Sequence, residues 1–247
     1  MLPKNPYWPA LLVVSSFLCF ALPAAADITV LARYTFINGD TLTRPSYYSS
    51  RRSRVTVPDG KEMIYDNKDR QLTILDHVGK RYWTGPLAHA DSLADLILLE
   101  GRKEVAKVAA ADQQAWIEKV QAFNESIHLE QTEEVRKIAG YPSTKWTLSA
   151  GEYLQHERWV ARSLVVANYG PEIQKAAMAL AVDPLGRVLL KALIGMREAD
   201  GLALDSKTTF KSLTTSGSFG YETIQVIGKS VPATAWTIPE GYTRVVR

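Results

Sequence analysis

From Ile28 the chain alternates with a period of two. Ile28, Val30, Ala32, Tyr34 and Phe36 fall on one side and Thr29, Arg33 and Thr35 on the other, the pattern of a half-buried strand. Asn38-Gly39-Asp40 closes it with the chemistry of a tight hairpin turn. Residues 41–50 are rich in Tyr and Ser around Pro45 and show no clear period. Arg51-Arg52-Ser53-Arg54 then leads into Val55 and Val57, with Arg52, Arg54 and Thr56 expected on the solvent side of a strand. Between residues 55 and 84 short apolar runs are separated by Pro58-Asp59-Gly60, Asn67-Lys68-Asp69 and His77-Val78-Gly79-Lys80, three breaks made of turn-forming residues. Met63 pairs with Tyr65 on one side of its run, Leu72 with Ile74 on the next, and Tyr82 stands alone on the third. This predicts an antiparallel meander on which the rest of the fold is built.

After Pro86 the period lengthens. Asp91-Ser92 can cap a helix; Leu93, Leu96 and Ile97 follow at helical spacing until Gly101, and Val105, Val108, Trp116, Val120 and Phe123 continue a broken stripe. Strands are expected again near residue 128, with a Gly140-Tyr141-Pro142 turn, a short strand over 145–148, a turn at Ala150-Gly151 and a strand over 153–161. Pro171 opens a second helical region, with Ile173, Ala177 and Leu180 on one stripe and Val188, Leu189, Leu193 and Met196 on another. Asp183, Pro184, Arg187, Lys191 and Arg197 argue against its being a membrane span. Residues 201–210 and 221–227 read as strands, and the Ser- and Gly-rich 212–220 between them as a mobile loop. The expected class is therefore α+β: a curved antiparallel half-barrel covered by helices, in one domain over 27–247 with helical insertions near 91–124 and 171–198.

The chain ends modify this picture. Lys4, an apolar run over residues 10–22 too short to span a bilayer comfortably, and Ala24-Ala25-Ala26 form an export signal, with cleavage expected after Ala26. Cys19 is the single cysteine and lies within that segment, so the mature chain is expected to have no disulfide, thiol catalyst or thiolate metal site. Without Lys4 the chain holds 28 basic residues against 26 acidic ones. That balance implies neither nucleic-acid binding nor strong membrane-surface attraction. The expected location is the periplasm, with no integral membrane segment after cleavage.

Candidate chemistry is sparse. His77, His89, His128 and His156 are widely spaced and form no metal-binding pair; His77 in a turn and His156 in a strand read as surface positions. Ser216-Gly217-Ser218-Phe219-Gly220 lacks the strand-then-helix setting of a nucleophile elbow. Asp66-Asn67-Lys68-Asp69 places cations where a calcium loop needs oxygens, and Gly228-Lys229-Ser230 lacks the upstream glycine of a phosphate loop. No catalytic residue, metal site or cofactor is assigned, and the chain is expected not to be an enzyme. Arg51, Arg52 and Arg54 are candidates for an anionic head group or an acidic partner surface, or else they keep a strand edge soluble.

Ile64-Tyr65-Asp66, residues 72–75 and Lys80-Arg81-Tyr82-Trp83, together with Ile138-Ala139-Gly140-Tyr141, the Trp146 strand, the 153–159 strand and Ile238-Pro239-Glu240-Gly241-Tyr242, resemble the exported half-barrel proteins of the LolA-like type, above all their uncharacterised periplasmic relatives. The resemblance implies a curved sheet around helices and an apolar cavity; the well-understood members carry acyl chains or lipoproteins. Leu96, Leu99, Leu180, Leu189, Leu193 and Met196 are the expected lining. The expected function is a periplasmic carrier or binding protein for a lipid, an acylated protein or another apolar ligand. The alternative is an envelope module that binds another protein and holds no small ligand.

Overall fold

The computed structural model describes residues 27–56, 60–89, 126–166, 201–211 and 216–245, with isolated helical positions between 106 and 125. Twelve strands form one open sheet: β1 (Ile28–Thr35), β2 (Thr41–Tyr48), β3 (Arg52–Thr56), β4 (Glu62–Asp66), β5 (Gln71–Asp76), β6 (Arg81–Pro86), β7 (Ile127–Ile138), β8 (Tyr141–Ala150), β9 (Leu154–Ala161), β10 (Leu202–Lys211), β11 (Ser216–Ile227) and β12 (Thr243–Arg244). Their order is β12-β6-β5-β4-β3-β2-β1-β11-β10-β9-β8-β7. Every pairing is antiparallel except the short parallel contact of β12 with β6. Two meanders, β1 to β6 and β7 to β11, are thus joined through the β1–β11 ladder.

This overturns the expected α+β class. The described chain is almost wholly strand and builds an open sheet, not a half-barrel under a helical cover. Three segments pair further than the pattern predicts. Residues 41–48 form β2 along the whole of β1. β8 extends the expected short strand to ten residues. Residues 216–220, expected as loop, begin β11 against β10. Ladder hydrogen bonds to a well-formed neighbour override weak local propensity. Of the expected helical insertions, the one near 91–124 is described only at scattered helical positions, and the one near 171–198 lies outside the described residues, as does the N-terminal segment 1–26.

Turn chemistry fixes the registers. In β1–β2 the Gly39 N–H donates to the Phe36 carbonyl, and Asn38 Nδ2 donates to Asp40. Asp66 and Asp76 end β4 and β5 in the same way: one carboxylate oxygen accepts the backbone N–H groups two and three residues on, Lys68 and Asp69 in one turn, Val78 and Gly79 in the other. Each turn closes on a left-handed residue, Arg70 and Lys80. The β7–β8 hairpin turns over two residues, Ala139 and Gly140, both at positive φ. Gly220 has a different reason for being glycine. A Cβ there would stand 2.1 Å from the Ser206 carbonyl oxygen of β10, so the two backbones approach only because no side chain intervenes.

The apolar rows follow the registers. Met63, Ile74 and Trp83 align across β4, β5 and β6 and are buried; Trp83, not Tyr82, continues the row. One apolar cluster joins Phe123 to Trp146, Leu148, Ala150, Leu154 and Val160. A second joins the β1 row Ile28, Val30, Ala32 and Tyr34 to Trp159, Leu202 and Leu204. Each fully buried aliphatic side chain contributes about 1.5–3 kcal/mol. Among the described residues no helix is long and apolar enough to cross a membrane.

Candidate functional site

Three carboxylates of the first meander are buried: Glu62, Asp66 and Asp76. An ionised carboxylate leaves water at heavy cost unless it is paired and hydrogen-bonded. Asp66 accepts from Arg51 Nε at 2.9 and 3.0 Å and from Arg52 Nε at 2.6 Å, besides its own turn N–H groups. Burial pushes its carboxyl up, but these donors outweigh burial and hold it well below the usual carboxylate range. Asp76 repeats the solution with the Gly79 N–H and Arg81, and it too is lowered against the pull of burial. Both aspartates are turn clamps.

Glu62 differs. It opens β4 directly opposite Thr56 of β3, is 4 % exposed, and meets three basic side chains from three separate segments. Arg54 donates from Nε at 2.8 Å and from Nη2 to the same oxygen, Oε2. His77 Nε2 lies 3.1 Å from Oε2 without alignment for a hydrogen bond, while its Nδ1 is 2.6 Å from the Tyr242 hydroxyl. Arg44 of β2 approaches the other oxygen, Oε1, at 3.5 Å. Burial, then the positive charge of Arg44, holds the His77 imidazole below its ordinary value. This favours the neutral imidazole, and among the described residues Arg44 and Arg54 are the two cations facing Glu62.

The C-terminal segment crosses this cluster as a strap. Arg54 Nη1 donates to the Ala235 and Thr237 carbonyls at 3.0 and 3.4 Å. Trp236 packs edge-on to Tyr47, and β12 fixes the far end on β6. Between strap and sheet is a recess of about 300 Å3 lined by Arg44, Tyr47, Arg54, Glu62, His77 and Thr234, room for roughly ten waters or one small polar group. A second recess of about 300 Å3 lies over β10, β11 and β1. There Asp205, Glu222 and Arg33 stand in one cross-strand row beside Trp159. Arg136 stacks on Trp159 at 4.1 Å and pairs with Asp205. Its charges alternate, which leaves little net field.

Arg51 and Arg52, expected on an open basic strip, are engaged by Asp66 and Asp69. Arg54, expected on a solvent face, is 12 % exposed and bound to Glu62. The structure thus draws only Arg54 of the three into the recess. Leu96, Leu99, Leu180, Leu189, Leu193 and Met196 lie outside the described residues. His156 is not a surface residue: it is buried, with Nδ1 2.8 Å from Thr208 Oγ1. Arg44 and Glu62 were not picked out from the sequence, and Tyr242 only as the end of the Ile238–Tyr242 segment. They are far apart along the chain, and only the strand registers bring them together. Among the described residues no three His, Cys, Asp or Glu side chains converge as a metal would require.

No family model and no curated protein matches the sequence. Among solved structures, PNGF-II is similar over 90% of this chain and 31% of its own, at 11% identity and a TM-score of 0.40. A chain of the Pseudomonas aeruginosa MucA/MucB complex is similar over 88% of this chain and 56% of its own, at 15% identity and 0.39. A LolA superfamily protein from Nitrosomonas europaea is similar over 87% and 91%, at 11% and 0.23. The chain spans about a third of the length of PNGF-II and just over half of the matched Pseudomonas chain. None of these likenesses is close enough to place the chain in a family.

Proposed function

We propose that this protein is a binding module of the periplasm, which holds a partner without transforming it, and that the partner is gripped at the Glu62 recess beneath the C-terminal strap. One observation carries the reading. Arg44, Arg54, Glu62 and His77 come from four separate segments to line one polar recess of about 300 Å3, a size that admits a side chain or chain end. The export pattern of residues 1–26 supports the location. A photo-crosslinking residue in place of Thr234, which is exposed on the strap, tests the reading in cells. A discrete protein adduct that disappears with Arg44→Glu is expected. Absence of any adduct, or one indifferent to Arg44→Glu, overturns it.

An apolar ligand is the second reading, which the sequence resemblance to half-barrel carriers supports. Burial of an acyl chain would stabilise a complex by about 0.8 kcal/mol per CH2. Native mass spectrometry of protein taken from the periplasm separates the two. A bound lipid mass supports this second reading, and a consistently empty chain removes it.

A further inference from the structure

Arg44 is unusual among the arginines of the sheet. Its side chain is only 23% exposed, and Nη1 is fully buried without a hydrogen-bond partner. It lies 3.5 Å from Glu62 Oε1. Arg54 shows what satisfaction looks like in the same recess: its donors reach Glu62 and two strap carbonyls. Glu62 meets Arg54 and His77 through Oε2, and although its Oε1 comes within 3.5 Å of Arg44 Nη1, no hydrogen bond forms there. A buried guanidinium N–H without an acceptor calls for an oxygen.

The geometry points to an anionic oxygen acceptor for the buried Nη1, and we infer that Arg44 binds one carboxylate group, presented by a partner's acidic side chain or chain end, in the recess between β2 and the strap. This inference rests on the recess being the contact site and names the chemistry that the site selects. The charge count favours a carboxylate. With His77 neutral, Arg44 and Arg54 exceed Glu62 by one positive charge, which a monoanion balances. A planar carboxylate also matches the two-pronged donor edge of a guanidinium. Tyr47 and Thr234 stand at the walls, an aromatic face and a hydroxyl suited to the stem and rim of such a group.

The full secreted chain is titrated calorimetrically at low ionic strength with acetate and, separately, with the tripeptide Ala-Ala-Glu. The expected result is saturable binding of both, the peptide tighter, with Arg44→Gln weakening each by about tenfold or more. Thr234→Glu leaves Arg44 in place but supplies a competing carboxylate at the mouth. It should abolish binding as well, and it keeps the test valid if Arg44→Gln fails to fold. Acetate binding without a peptide response assigns the site to a small free acid and keeps the carboxylate inference. No saturable response to either probe, or binding unchanged in both variants, overturns it. A crosslinked partner alongside such a null titration would leave the proposed function standing and remove only this inference.

Discussion

The two meanders of this sheet differ in whether they bury charge. The first, β1 to β6, buries Glu62, Asp66 and Asp76, each met by arginines or turn N–H groups, beside the neutral Ser46 and Ser53. Among the described residues of the second, β7 to β11, the buried polar groups are Ser143, His156, Thr208 and Thr223. Its ions pair with exposed carboxylates, as Lys145 does with Glu134 and Lys211 with Glu152. A buried ion pair is fragile to loss of one partner, whereas a buried neutral pair is fragile to acquiring a proton. The same architecture therefore has two different weak points.

The largest expected difference tests the first of these. Glu62→Ala removes the carboxylate that Arg44 and Arg54 share and leaves two guanidinium groups in the recess. A loss of about 3–5 kcal/mol in urea unfolding is expected. Lys145→Ala, which breaks the surface pairs with Glu134 and Glu157, should cost less than about 1 kcal/mol. Equal losses at the two sites would dissolve the distinction between the meanders.

Acid should reverse the order of vulnerability. Burial, then nearby Arg158, pushes the His156 imidazole down to about 3, below the roughly 6.5 of an unfolded histidine. The unfolded chain thus binds the proton first. The stabilisation is complete above about pH 6.5 and falls by about 1.4 kcal/mol per pH unit as pH drops toward the folded value. Asp66 is lowered from the carboxylate range, so its contribution holds until pH falls below about 4 and is lost only in stronger acid. Between these limits, amides of β9 and β10 should lose hydrogen-exchange protection before those around the Asp66 turn. His77 is displaced in the same direction as His156, so both histidines contribute to the slope. Urea midpoints of His156→Gln and His77→Gln at two pH values separate them. A slope that survives His156→Gln unchanged would refute the assignment.

What the sequence made legible, and what it hid, follows the same division. Alternation in β1 and the turn residues after Asp66 and Asp76 are local facts, so the first meander could be read from its letters. β2 was obscured by Pro45. It tolerates the proline because β3 pairs only with Tyr47 and Tyr48, and no ladder donor is needed there on that side. The start of β11 was obscured by glycines that look like loop, yet Gly220 is required for contact with β10. The recess was the least legible part. Arg54 had a readable neighbourhood among arginines, but nothing in the letters around Glu62 marks it out. Arg44, His77 and Tyr242 acquire meaning only from strand register and the path of the strap.

The smallest expected effect concerns the turns themselves. Both meanders use hairpin turns in the left-handed region, but the first places Asn38-Gly39 at its β1–β2 turn, while the β7–β8 turn has Ala139-Gly140, with Ala139 at φ 46° and Gly140 at φ 94°. Gly140 adopts its angle freely. Alanine pays a steric cost in that region that asparagine largely escapes through local hydrogen bonding. Asn-Gly is also the pair favoured by a two-residue turn of this twist. Ala139→Asn should therefore stabilise the protein by about 0.5–1 kcal/mol, seen as a higher urea midpoint with an unchanged slope. Ala139 also packs against the cluster around Ile138, so a fall in the midpoint would mean that this packing outweighs the turn preference, and that the second meander is held by its core and not by its turns.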